Sequence, residues 1–284
     1  MEKSEDRVED PDPIAELIAS YNELNAGVVE ELDEEPSPLE FMRYVARNTP
    51  FVVRSGASDW PVVRRWTAEY LRESLADHHV NVAVTPYGNA DAPTDQNGQL
   101  VFAKPHEEEQ PFSSFLDYLI SQELSSHSSP VRRGEVRYAQ TQNDNLRNEY
   151  SSLYSHVPPS IPFARIALQN EPDAINLWIG SSASVTALHR DNYENIYVQV
   201  AGRKHFVLLP ALCQPCVNEQ DLEPASYIRE SGELRLQRED GDKVPFAIWD
   251  PDNPTLRSTK YSHLARPLRV TLEPGDMLYL PAMW

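Results

Sequence analysis

Ser184-Val185-Thr186-Ala187-Leu188-His189-Arg190-Asp191-Asn192-Tyr193-Glu194-Asn195-Ile196-Tyr197-Val198-Gln199-Val200, followed by Ala201-Gly202-Arg203-Lys204-His205-Phe206-Val207-Leu208-Leu209-Pro210, is the stretch on which the fold turns. Two β-type runs flank a short turn containing Gly202, the pattern of a hairpin. Side chains alternate faces along a strand, which predicts His189 and Asp191 on one face, continued by Tyr193, Asn195 and Tyr197. An imidazole and a carboxylate so placed supply two of the three donors of a facial metal triad. With a second His from elsewhere, such a triad leaves coordination positions open on non-haem Fe(II). Lys204 falls on the returning strand, where its ammonium is a point charge suited to a carboxylate ligand. Thr186 has the wrong parity to share the His189 face, so it requires a bend.

The pattern also has plainer readings. His-x-acid recurs by chance in a chain with 8 His and 44 Asp plus Glu. His106-Glu107-Glu108 is a second instance, in a charged stretch that reads as a solvated loop. A surface His and Asp beside a snorkelling Lys fits the spacing as well as a metal site does. His78 and His79 follow a predicted helix, whose C-terminal dipole they favour. Cys213-Gln214-Pro215-Cys216 has CxxC spacing, but no second Cys pair accompanies it to make a zinc site. Nor is there a thioredoxin-like unit around it.

The 284 residues suffice for one large domain or two small ones. A net charge of −19 argues against nucleic acid or an anionic membrane as a direct partner, because phosphate affinity rests on Lys and Arg. It favours a basic peptide or protein instead. No apolar run is long enough to span a bilayer, and the N-terminus has no apolar leader. Two Cys make no disulfide framework, which implies a reducing compartment, cytoplasmic or nuclear.

Along the chain, residues 1–11 read as a disordered acidic tail. Helices are predicted from Pro13 to Leu24 with Asp12 as N-cap, from Ser37 to about Asn48 behind a capping box, over Val62–Ala76, and over Pro111–Leu124. Glu30–Pro38 reads as a connector, Tyr87–Gly98 and Ser125–Arg133 as loops, and Glu219–Asp252 as loop-rich with a strand near 243–248. Strands are predicted at 50–54, 80–85, 136–140, 174–180, 266–272 and from Met277.

Thr186-Ala187-Leu188-His189-Arg190-Asp191, Tyr193-Glu194-Asn195, Gly202-Arg203-Lys204-His205-Phe206 and Pro274-Gly275-Asp276-Met277-Leu278-Tyr279-Leu280-Pro281-Ala282-Met283-Trp284 together resemble a Jumonji-C domain, in particular the jumonji-domain-only group. The resemblance implies a mainly β fold with flanking helices, the cupin-type double-stranded β-helix or jelly roll. Residues 12–125 would form a helical and mixed region packing on the barrel, and 126–284 the cupin domain. It implies Fe(II) and 2-oxoglutarate as cofactors, with His189 and Asp191 as iron ligands. Lys204, Thr186 and Tyr138 would hold the distal carboxylate of 2-oxoglutarate, and Asn195 would line the site near the metal.

In the family, the strand opened by Pro-Gly-Asp continues beyond the Leu-Pro-Ala-x-Trp segment, and the second His ligand follows. Here the sequence stops at Trp284. The expectation is therefore an incomplete barrel with two of three ligands, weak iron binding, little turnover and an unpaired sheet edge. A fragment of an active oxygenase is favoured over a crippled remnant, because the chain stops mid-motif. The resemblance points to hydroxylation of a lysyl residue in a protein, with a translation-associated GTP-binding protein as candidate substrate and a homodimer as candidate assembly. The alternatives are an inactive cupin-like module that binds a basic peptide, and a peptidase acting on protein tails.

Overall fold

A computed structural model describes residues 12–126 and 134–284. The acidic tail and most of the loop predicted over 125–133 lie outside the described residues. Helix α1 (Pro13–Leu24) starts where Asp12 accepts hydrogen bonds from the Ile14 and Ala15 N–H groups, at 3.1 and 3.4 Å. Strand β1 (Glu30–Leu32) occupies part of the predicted connector. Helix α2 (Pro38–Arg47) has the predicted box: Ser37 Oγ accepts from the Glu40 N–H and the Glu40 carboxylate accepts from the Ser37 N–H.

After β2 (Phe51–Val53), the single helix expected over 62–76 is two, α3 (Pro61–Arg65) and α4 (Ala68–Ser74). Trp66 leaves helical geometry, and Thr67 Oγ caps the second helix by accepting from the Tyr70 N–H. Next come β3 (His79–Thr85), β4 (Ala92–Gln96), β5 (Gln99–Lys104) and β6 (His106–Pro111). Two loop expectations fail here. Asn97 and Gly98, both at positive φ, turn β4 into β5 as a hairpin. His106-Glu107-Glu108 pairs antiparallel with β3 as an edge strand, with alternate residues half-buried.

Then follow α5 (Phe112–Ser126), β7 (Val136–Ala139), α6 (Asn145–Asn148), α7 (Pro162–Leu168), β8 (Ile179–Gly180), β9 (Asn195–Val198), β10 (Lys204–Leu208), β11 (Glu219–Glu230), β12 (Glu233–Arg238), β13 (Val244–Ala247), β14 (Leu268–Leu272) and β15 (Met277–Leu280). The strand predicted over 174–180 shrinks to β8. The Ile175 and Leu177 N–H groups donate to the side chains of Asp144 and Asn145, at 2.8 and 2.7 Å, instead of to a neighbouring strand. The 12-residue β11, in a segment read as loop-rich, buries Leu222, Ala225 and Tyr227.

Among the described residues the strands form sheets in the orders β1-β2-β15-β9, β10-β14, β12-β11-β5-β4 with β13 against β11, and β6-β3-β7-β8. This is the mainly β, jelly-roll architecture with flanking helices that the sequence predicts. The hairpin prediction at its centre is corrected. β9 pairs with β15 and β10 pairs with β14, so the Gly202 turn passes the chain from one sheet to another. Residues 184–194 lie outside any strand. β15 is paired on both sides, whereas β10 and β14 each keep one unpaired side among the described residues, with His205 and Arg269 exposed along them.

An aromatic cluster of Phe41, Tyr44, Phe51, Phe163 and Tyr279 locks α2, β2, α7 and β15 together. Each such buried ring contributes about 1.5–3 kcal/mol.

Candidate active site

His189 and Asp191 meet, although they sit in a loop rather than on a strand. Nε2 of His189 lies 3.7 Å from Oδ2 of Asp191. His189 Nδ1 is 2.9 Å from the Ala187 carbonyl oxygen. A carbonyl only accepts, so Nδ1 carries the proton and the Nε2 lone pair faces the carboxylate side. Both side chains are about half exposed, at 48% and 54%, which leaves their donor atoms open to a ligand. Asp191 raises the His189 pKa, against the effect of burial, and His189 in turn holds the Asp191 carboxyl low.

Lys204 opens β10, half-buried, with Nζ 5.8 Å from the centre of the Tyr138 ring. Burial lowers its pKa, and among the described residues no carboxylate pairs with it. Tyr138 stands on β7, and burial, then the nearby Tyr197, push its phenol pKa up. Tyr197 on β9 stacks on Trp178, with centroids 6.0 Å apart, and burial pushes it up to about 12. Asn195 donates to the Tyr193 carbonyl at 3.1 Å, half-buried at the start of β9. Thr186 is exposed and has no hydrogen bond to Tyr138 or Lys204 among the described residues. The six predicted residues thus fall into two contacting pairs, His189 with Asp191 and Lys204 with Tyr138, with Asn195 and Thr186 on the connecting chain.

Two unmet needs mark the space around Tyr138. Among the described residues, Lys204 has no counter-ion and Ser184 Oγ is buried without a hydrogen-bond partner. Tyr138, Gln140, Ser184 and Val185 line a small cleft there. An ammonium and hydroxyls in want of an anion fit the distal carboxylate of 2-oxoglutarate. The His189/Asp191 pair fits Fe(II) in donor type and supplies two donors of a facial set. Among the described residues, no group of three or more His, Cys, Asp or Glu gathers at one point.

Other residues at the site carry no sequence motif. Asp91, at φ 51°, accepts from Gln140 Nε2 at 3.2 Å, and its charge adds to the rise in the His189 pKa. Gly180 packs on Tyr138: a Cβ there would fall 2.5 Å from the ring. Gly88, at φ 76°, accepts from the Val185 N–H at 2.8 Å and clasps the loop that leads to His189. A Cβ on Gly88 would sit 2.0 Å from the Ala183 carbonyl oxygen. Gly88→Ala is expected to cost about 1–3 kcal/mol and to speed amide exchange at Val185. Unchanged exchange at that amide counts against the clasp. The sequence carries no distinct signal for Gly88, because the same loop also holds Asn89, Asp91, Pro93, Asn97 and Gly98.

The CxxC cysteines are free and buried against Ile18, Leu209 and Trp249, and Cys216 Sγ donates to the Tyr261 carbonyl at 3.3 Å. His79 is the first residue of β3 rather than part of a helix end.

Residues 36–284 match the model of the cupin-like domain family, and the chain belongs to it. By family resemblance it is an enzyme of the JmjC, 2-oxoglutarate-dependent dioxygenase type. Within that class it is 38% identical over 276 residues to the human bifunctional peptidase and (3S)-lysyl hydroxylase JMJD7, covering 95% of this chain and 83% of that protein. It is 33% identical over 284 residues to the Arabidopsis thaliana lysine-specific demethylase JMJ32, covering 95% and 80%. It is 32% identical over 301 residues to the Dictyostelium discoideum JmjC domain-containing protein E, covering 95% and 84%.

Proposed function

We propose that this chain is a 2-oxoglutarate- and Fe(II)-dependent hydroxylase acting on a lysyl residue of a protein. The observation that carries the reading is Lys204: a half-buried ammonium beside Tyr138 with no acid to balance it among the described residues. A lysine so placed is costly unless an anion completes it. Lysine as the target is supported by the names of the human and Arabidopsis relatives, and the acidic net charge suits a basic protein segment.

His189 and Asp191 would hold the iron, and Lys204 with the Tyr138 hydroxyl would hold the distal carboxylate of 2-oxoglutarate. Bound iron and cosubstrate supply the oxidation: O2 and 2-oxoglutarate are consumed, one oxygen atom enters a C–H bond, and succinate and CO2 leave. The chain's own contribution is placement. The Ala187 carbonyl fixes the His189 tautomer, so Nε2 is the free donor. Lys204 and Tyr138 would hold one carboxylate of the flexible diacid and so limit the orientations it can take. Trp178, stacked on Tyr197, covers one face of that ring.

Succinate release, measured with protein from the complete reading frame, tests this. Lys204→Ala is expected to raise the KM for 2-oxoglutarate roughly 10–100-fold, the value of a charge-assisted hydrogen bond. An unchanged KM sinks the assignment. Tight binding of a basic peptide, with no succinate released from 2-oxoglutarate in the presence of any lysine-bearing protein, would instead support the binding module.

A further inference from the structure

We infer that Glu194 is a positioning residue that sets the His189/Asp191 pair by tying its loop to the barrel; this rests on the metal-site reading above. Residues 184–194 form no strand, so the loop lacks a ladder to hold it. What holds it near Asp191 is a set of contacts to β15 and the residues after it. The buried Tyr279 hydroxyl donates to Glu194 Oε2 at 2.5 Å, and the Ala282 N–H donates to the same oxygen at 3.3 Å. The Met283 N–H donates to the Asp191 carbonyl at 2.7 Å.

The anchor is rigid. Tyr279 is 1% exposed, 4.9 Å from Phe41 and 5.2 Å from Phe51 between ring centroids, so its hydroxyl cannot follow a moving loop. Asn48 Nδ2 donates to the Ala282 carbonyl at 3.0 Å, and Trp284 Nε1 donates to Asn48 Oδ1 at 2.7 Å, which fixes the peptide on the other side of the carboxylate. β9 begins one residue later, with Asn195 paired to Leu280. Glu194 is therefore the last fixed point before the chain leaves the sheet towards Asp191, three residues away. Without its carboxylate, the Met283–Asp191 bond and the half-exposed Arg190–Glu219 ion pair would be left to restrain the loop beside Asp191, with the Gly88 clasp holding only its far end at Val185. The two metal donors would then spend their time in arrangements that do not converge.

Neither Tyr279 nor Glu194 touches the candidate metal donors in the structure, so both act through the backbone. Their effect belongs with that of outer groups that orient ligands, for which about 10–100-fold in metal affinity is typical.

The experiment is a titration of the metal-free protein with Co(II), read by its visible absorption, together with amide exchange. Glu194→Ala is expected to weaken Co(II) binding about 10-fold or more and to accelerate exchange at Ala282 and Met283. Glu194→Gln keeps an acceptor oxygen for both donors and is expected to restore most of the affinity. Tyr279→Phe removes the anchor from the far side without altering the loop, and should weaken binding in the same direction. A folded Glu194→Ala protein with wild-type affinity and exchange overturns the inference, as does a Gln variant no better than Ala. If Glu194→Ala does not fold, wild-type affinity in Tyr279→Phe overturns it instead. Failure of the underlying reading looks different: Co(II) binding would be absent from the wild type, or indifferent to His189→Ala.

Discussion

Protein carrying His189→Ala is expected to release no succinate above background, even with Fe(II) and 2-oxoglutarate in excess. The imidazole is one of only two donors that the described residues bring together, with its Nε2 held towards Asp191 by the Ala187 carbonyl. Removing it leaves a single carboxylate. On the proposed reading an inner ligand and not its support is gone, so the loss should exceed the roughly 10–100-fold that changes to supporting groups cause. The fold should be indifferent. His189 is about half exposed and lies outside any strand, so the change belongs with surface substitutions worth within about 0.5 kcal/mol. The measurement pairs a succinate assay with a thermal melt. Full succinate release by a folded His189→Ala protein would refute the metal assignment and leave Lys204 as an anion site of another kind. Capture of a basic peptide that survives the substitution, in a wild type that makes no succinate, would favour the binding module.

The residues of the candidate site are legible in the sequence for chemical reasons, whereas their local geometry is not. His189, Asp191 and Lys204 stand out because few side chains bind metals or anions, and their order in the chain survives any local conformation. Strand alternation predicts that His189 and Asp191 share a face, yet the two meet within a loop. Period-two logic needs a neighbouring strand to enforce it, and here the polar run Arg190-Asp191-Asn192 has none. Its backbone partner is the Met283 N–H instead. The same gap hid β11 and β6. Both are charged on their exposed positions, and their buried faces become visible only when β5 or β3 lies alongside. Helices were easier because their start signals are local: Asp12 and the Ser37/Glu40 box need no distant partner. Glu194, Asp91 and Gly88 were missed because each works through a contact many residues away.

Asp276 supplies the second large expected effect, this time on stability. It lies in the turn between β14 and β15, 3% exposed, and accepts from the Ser55 N–H at 2.9 Å, the Glu273 N–H at 3.0 Å and Arg54 at 2.6 Å. Arg54 also donates to the Thr271 carbonyl and pairs with Glu31, so one carboxylate joins β1, β2 and the β14–β15 turn. Asp276→Ala strands two N–H groups and a guanidinium. Breaking a buried ion pair from one side costs about 3–5 kcal/mol. Arg54 is about one-third exposed and can turn to water, so the low end, about 3 kcal/mol, is expected, with a fall in Tm of about 6 °C. The pH dependence has a definite sign. Burial alone would raise the Asp276 pKa, but the two N–H donors and Arg54 outweigh it and hold the carboxyl below its ordinary 3.8. A depressed carboxylate stabilises the fold above its unfolded pKa and ceases to as pH falls through the folded one. The gap in unfolding free energy between wild type and Asp276→Ala should therefore stay constant from about pH 7 to pH 5 and narrow only below about pH 4. Asp276→Asn, which keeps an acceptor without the charge, should fall between them. Equal melting of wild type and Asp276→Ala would show that the turn is held by the Gly275 backbone contacts to Ala57 and Gln199 alone.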